Sequence, residues 1–191
     1  MSVHRMNVCV FCGSNAGKVP LIQQESEILA KGLVQLNLGL VYGGASVGVM
    51  GLIADTVLKN GGAVTGVIPD ALFEKEVAHT GVQDLRVVRS MHERKKLMYD
   101  LSEVFVTLPG GFGTLDELFE VLTWCQIGVH KKEIFLLNVG GFYDGLLAHL
   151  DSAVSAGFIR AEHRSYLRVV SSASELLENI AAIVERKALI D

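Results

Sequence analysis

The residues best suited to chemistry in this 191-residue chain collect in four short stretches. The richest is Pro109-Gly110-Gly111-Phe112-Gly113-Thr114-Leu115-Asp116-Glu117, which follows the most apolar run, Val104–Leu108. Proline ends the extended run, and three glycines leave backbone N–H groups open to close approach. Thr114 is placed to cap the helix that follows, and Glu117 to fall in its first turn. Such a turn cradles an anion and sets one carboxylate beside it. The carboxylate either does chemistry or complements the helix dipole. A second glycine turn, Gly43–Gly51 (GGASVGVMG), also opens a helix and offers a second anion cradle through Gly44 and Gly48. It has neither the GxGxxG spacing nor the Lys-Ser/Thr ending of the familiar nucleotide loops. Cys12-Gly13-Ser14-Asn15 puts Ser14 in a polar turn after the first strand, which is also what an ordinary turn contains. Met91-His92-Glu93-Arg94-Lys95 opens a charged helix. Such runs usually form a solvated face, but Arg94 offers a planar fork for phosphate or carboxylate and Lys95 a point charge.

These stretches need elements to hold them, and the apolar pattern supplies them. Short strands are expected at Met6–Phe11, Gly39–Tyr42, Ala63–Ile68, Leu85–Val88, Val104–Leu108, Glu133–Asn138 and Arg168–Val170. Helices are expected at Leu21–Asn37, Met50–Asn60, Met91–Ser102, Thr114–Ile127, Tyr143–Ala156 and Ser172–Lys187. The last has capping-box spacing at Ser172 and Glu175. Strand alternating with helix along the chain, with continuously apolar strands, specifies a doubly wound, Rossmann-like α/β fold: a parallel sheet with helices on both faces. No repeat or linker breaks residues 1–191, so one nucleotide-binding domain is expected. Ligands of such folds bind beyond the C-terminal ends of the strands, where all three glycine or polar turns fall.

Composition narrows the classes. Hydrophobic residues make up 50% and charged residues 20%, which is globular. A net charge of −4 argues against a nucleic-acid partner. No apolar run is long enough for a membrane span, and no leader-like segment opens the sequence. Three cysteines, an odd number, favour reduced thiols and a cytoplasmic location. Cys9 and Cys12 form a CxxC, but no second pair or nearby His completes a zinc set. The six histidines are scattered, so neither a metal nor a cofactor is expected.

Taken together, GGxxxGxMG at Gly43–Gly51, MHERK at Met91–Lys95 and PGGxGTxxE at Pro109–Glu117 resemble the LOG ("Lonely Guy") family, the cytokinin riboside 5′-monophosphate phosphoribohydrolases. The resemblance runs in order and spacing through about Asn138. It implies a hydrolase that splits the N-glycosidic bond of a nucleoside 5′-monophosphate, either a cytokinin riboside monophosphate or AMP. The alternatives are an AMP nucleosidase acting in salvage and a non-catalytic carrier of a nucleotide or of molybdenum cofactor. Many relatives carry the label lysine decarboxylase. No pyridoxal-phosphate lysine is recognisable here, and glycine turns suit phosphate better. By resemblance, Arg94 and Glu117 are the catalytic pair. Glu76, Arg94, Lys95 and Gly110–Glu117 contact substrate, with Ser14, Gly44, Gly48 and Met91 added from the turns. The helix start at Gly113-Thr114 would hold the 5′-phosphate and Glu117 would face the ribose. The family is usually dimeric, which sets Met91, Trp124 and Gln126 near a homodimer boundary, with Trp124 equally suited to the core.

Overall fold

The structure, a computed structural model, describes residues 5–73 and 77–189. Glu76 lies outside the described residues. The strands are β1 (Asn7–Phe11), β2 (Gly39–Tyr42), β3 (Val64–Pro69), β4 (Asp84–Val88), β5 (Val104–Thr107), β6 (Glu133–Leu137) and β7 (Leu167–Val170). The helices are α1 (Pro20–Gln35), α2 (Gly48–Lys59), α3 (Asp70–Phe73), α4 (Met91–Asp100), α5 (Phe112–Gln126), α6 (Asp144–Ser155), α7 (Ala161–Arg164) and α8 (Ala173–Ala188). Every expected strand and long helix is present, with ends shifted by one or two residues. The short helices α3 and α7 carry too little periodic pattern to be read in advance. Among the described residues no helix is long and apolar enough to cross a membrane.

All seven strands run parallel in the order β4-β3-β2-β1-β5-β6-β7. Alternation along β1 divides the core in two. Val8, Val10 and Cys12 face a layer made with α1, α2 and α8. Cys9 and Phe11 face the opposite layer, which includes Met98 of α4, Leu118 and Val121 of α5 and Leu150 of α6. The CxxC is thereby split across the sheet, and both thiols are free and buried. The central strands β1, β2 and β5 are buried almost throughout, whereas the edge strand β4 is largely exposed. This explains the weaker apolar signal of β4.

The chain winds outward from β1 to β4, then returns to the other side of β1 to lay down β5. The turns that leave β1 and β5 therefore diverge and open a crevice between them, the usual ligand site of a doubly wound sheet. Two helices are set by local chemistry. Ser90 caps α4, its Oγ accepting from Glu93 N–H at 3.1 Å, while Glu93 Oε2 accepts from Arg89 N–H at 2.8 Å. Ser172 does the same for α8, accepting from Glu175 N–H at 3.2 Å.

Candidate active site

The turn after β5 is held from below. Tyr143 donates its hydroxyl to the Leu108 carbonyl at 2.8 Å, and the Tyr143 N–H is itself held by Asn138 Oδ1 at 2.7 Å. The helix that follows begins two residues earlier than its sequence suggested. Gly111 occupies the cap position with extended backbone and no side-chain cap. Thr114 is therefore the third helical residue rather than the cap, and Glu117 lies in the second turn rather than the first. The open N–H groups of an α-helix are its first ones. They belong here to Phe112, Gly113 and Thr114, so the anion-binding end is centred slightly earlier than Gly113-Thr114. Among the described residues no backbone acceptor outside the helix takes up these groups.

The start of α2 is different. The N–H groups of Val49 and Met50 both donate to the Gly13 carbonyl, at 3.1 and 3.4 Å. The Val49 and Met50 N–H groups are thus committed to the β1 turn and not open to an anion, which narrows the reading of this helix start as a second cradle. Gly48 makes this docking feasible: its φ is +62°, and a side chain there would strike the Ser14 backbone.

Arg94 and Glu117 meet in the crevice. Arg94 Nη1 lies 3.2 Å from Glu117 Oε1, and the two residues are only 8% and 7% exposed. The rest of the guanidinium grips strand ends: Nε donates to the Val67 carbonyl at 3.1 Å and Nη2 to the Gly43 carbonyl at 3.4 Å. One arginine on α4 therefore ties the ends of β2 and β3 to a carboxylate on α5. Gly43 is required for this approach, because an added Cβ would overlap Arg94 Nη2. Burial pushes the Glu117 carboxyl up to about 7, and the Arg94 charge only partly offsets it. The group is poised to exchange a proton near neutral pH.

A cavity of about 550 Å³ opens over this pair. Of the expected residues, Ser14, Arg94, Gly110, Gly111, Phe112, Gly113, Thr114 and Glu117 line it. Gly44, Gly48, Met91, Lys95, Leu115 and Asp116 do not. Lys95 is instead ion-paired with Asp116 at 3.0 Å and with Glu120 at 3.2 Å. Met91 is exposed at the start of α4, and Gln126 is exposed at the end of α5. Trp124 is half-buried, edge-on to Tyr99 at 5.0 Å. The sequence reading missed the apolar part of the lining: Ile22, Ala45, Met50, Ile68, Leu72 and Phe142. The strand-end rule pointed to Ile68, next to Pro69. Ala45 and Met50 lie in the Gly43–Gly51 run already singled out; Ile22, Leu72 and Phe142 carry no chemical signal, and only the fold turns them inward.

Comparison with known proteins places the chain in a family by sequence. Residues 50–180 match a family model described as "Possible lysine decarboxylase". The chain is 47% identical over 173 residues to a "Probable cytokinin riboside 5′-monophosphate phosphoribohydrolase" of Oryza sativa subsp. japonica, covering 91% of this chain and 78% of that protein. It is 44% identical over 179 residues to a cytokinin riboside 5′-monophosphate phosphoribohydrolase of Arabidopsis thaliana, covering 94% and 84%. The chain belongs to the LOG family. Among solved structures, the molybdenum cofactor binding protein of Rippkaea orientalis superposes with a TM-score of 0.72 at 22% identity, covering 96% of this chain and 99% of that one. That likeness shows the Rossmann-like fold alone. The LOG match spans all three motifs, including the MHERK helix and the PGGFGTLDE turn that carry Arg94 and Glu117.

Proposed function

We propose that this LOG-family chain hydrolyses the N-glycosidic bond of nucleoside 5′-monophosphates, releasing free base and ribose 5-phosphate. The observation that carries this reading is the buried Arg94–Glu117 pair, facing the open N-terminus of α5 across one cavity. The 5′-phosphate would sit on the N–H groups of Phe112, Gly113 and Thr114, where the helix dipole favours negative charge. This fixes the ribose against Glu117. As the C1′–N bond breaks, its electron pair leaves with the base and positive charge builds on the ribose. The Glu117 carboxylate stabilises that charge and takes the proton of the water that adds at C1′. Arg94 keeps a fraction of Glu117 ionised in a site that would otherwise neutralise it, and holds it toward the sugar. The names of the relatives, both phosphoribohydrolases, support the same bond as the target.

The substrate class includes cytokinin riboside monophosphates and AMP, the latter making the protein an AMP nucleosidase. The reading further makes the whole chain one nucleotide-binding domain in a cytoplasmic homodimer with no nucleic-acid partner. Exposed Phe112 and Phe119, seven residues apart on one side of α5, support a subunit contact there.

Incubation with AMP and with N6-isopentenyl-AMP, followed by assay of free base and ribose 5-phosphate, tests the activity. Release from at least one is expected. The matching nucleosides should be poor substrates, because they lack the anchoring phosphate. Glu117→Gln should lower kcat by a hundredfold or more, on the order expected for losing a positioned acid–base group, while nucleotide binding persists. Near-normal turnover by Glu117→Gln would overturn the assignment. Nucleotide binding without any base release by the unaltered protein would favour a carrier.

A further inference from the structure

A second cavity, of about 500 Å³, lies at the opposite end of the sheet from the proposed active site. It is framed by the start of β6, the residue before β5, and the last turn of α8. Four cations line it, Lys131, Lys132, Arg186 and Lys187, against two carboxylates, Glu103 and Glu133. The imbalance is opposite in sign to the chain as a whole, whose net charge is −4.

Both carboxylates are already engaged. Glu103 Oε2 accepts from the Asn7 N–H at 2.6 Å. Glu133 pairs with Arg168 at 3.3 Å and with Arg186 at 3.6 Å. Among the described residues, Lys131 and Lys187 have no carboxylate within ion-pair distance. Lys132 is half-buried and donates to a single oxygen, the Tyr99 carbonyl at 2.7 Å, with its ammonium 3.9 Å from the Tyr99 ring centroid. An ammonium has three donors to satisfy. Burial lowers the pKa of Lys132 and outweighs the Glu103 and Asp100 carboxylates, which act the other way; Lys187 adds to the lowering. An anion in the cavity would oppose the lowering.

A helix C-terminus attracts cations by its dipole, which accounts for Arg186 and Lys187 on α8. It does not account for Lys131 and Lys132, which come from the loop after α5. Two separate elements converge their positive charge on one concavity.

We propose that this cavity binds a compact polyanion, a phosphate or diphosphate group, either free or carried on a small metabolite. Lys131 and Lys187 supply exposed point charges, and Lys132 supplies a half-buried donor at the floor. The proposal is independent of the reaction assigned to the crevice.

The test is a titration of the full chain with pyrophosphate at low ionic strength, followed by amide NMR shifts. A parallel titration uses ribose 5-phosphate, to separate free from esterified phosphate. Saturable shifts are expected at Lys131, Lys132, Glu133, Arg186 and Lys187, distinct from any at Gly111–Thr114. Lys131→Ala/Lys187→Ala, two exposed changes, should weaken binding there at least tenfold and leave shifts at Gly111–Thr114 unaltered. Saturation by pyrophosphate alone identifies a free-anion site, and saturation by both ligands a site for phosphorylated metabolites. Shifts that never saturate, that are reproduced by sodium chloride at equal ionic strength, or that survive in the double variant would overturn the proposal.

Discussion

At the residue scale, Glu117 carries a conflict between stability and chemistry. Its carboxyl is buried beside Arg94, yet burial outweighs the pairing and raises its pKa from 4.5 to about 7. The folded protein therefore holds this proton more tightly than the unfolded chain does. Between pH 4.5 and 7 the folded state binds more protons, so this group's contribution to stability falls as pH rises through that window. The full effect is about 3 kcal/mol at one pKa unit per 1.36 kcal/mol. Chemical denaturation at pH 5 and pH 8 should show that loss in the unaltered protein. Glu117→Gln should lack it while retaining the pH dependence of all other groups. An identical pH dependence in the two proteins would mean that Glu117 ionises as an ordinary glutamate.

At the element scale, the site depends on four chain segments meeting at the ends of strands. Capped by Ser90, α4 delivers Arg94 to the carbonyls of Val67 and Gly43. The β1 turn is pinned by α2 through the Gly13 carbonyl. Gly43 is the tightest point, since an added methyl overlaps Arg94 and comes within 2.9 Å of Met50 Sδ. Gly43→Ala should displace the guanidinium and lower kcat on the order of a hundredfold, the scale associated with ångström-level misplacement of a reacting group. The far-ultraviolet circular dichroism spectrum should not change. Full activity would show that Arg94 can shift without consequence. MHERK reads as a solvated charged run from sequence alone, and three of its five residues, Met91, His92 and Glu93, are exposed. Arg94 is the exception because the helix points it at two strand ends far away in sequence.

At the scale of the whole molecule, the switch in strand order between β1 and β5 sets where the site lies. It also puts α5 at the rim, with its N-terminus in the cavity and Phe112 95% exposed beside it. The proposed subunit contact would cover this face of α5, on which Phe112 and Phe119 are exposed. Phe119→Glu should shift the proposed homodimer toward monomer in sedimentation velocity experiments at micromolar concentration. Unchanged sedimentation would move the subunit contact off this face of α5.

The sequence by itself determined the layer architecture, because apolar strand runs alternating with periodic helices leave few ways to bury both patterns. It also singled out the PGGFGTLDE turn, since glycine and proline at a strand end are local signals, while the pairing of Arg94 with Glu117 came from the family resemblance. The Ser90–Glu93 cap had the same readable spacing as Ser172–Glu175. Only the tertiary structure decided which glycine turn is open. At the start of α2 the Val49 and Met50 N–H groups are taken by the Gly13 carbonyl, whereas those of Phe112, Gly113 and Thr114 at the start of α5 have no backbone acceptor among the described residues. Only the fold separated Arg94 from Lys95, burying one in the crevice and pairing the other with Asp116 and Glu120. Likewise, the apolar wall of Ile68, Leu72 and Phe142 exists only once strands distant in sequence lie side by side. Burial and long-range hydrogen bonding are properties of neighbours in space, and local sequence does not record them.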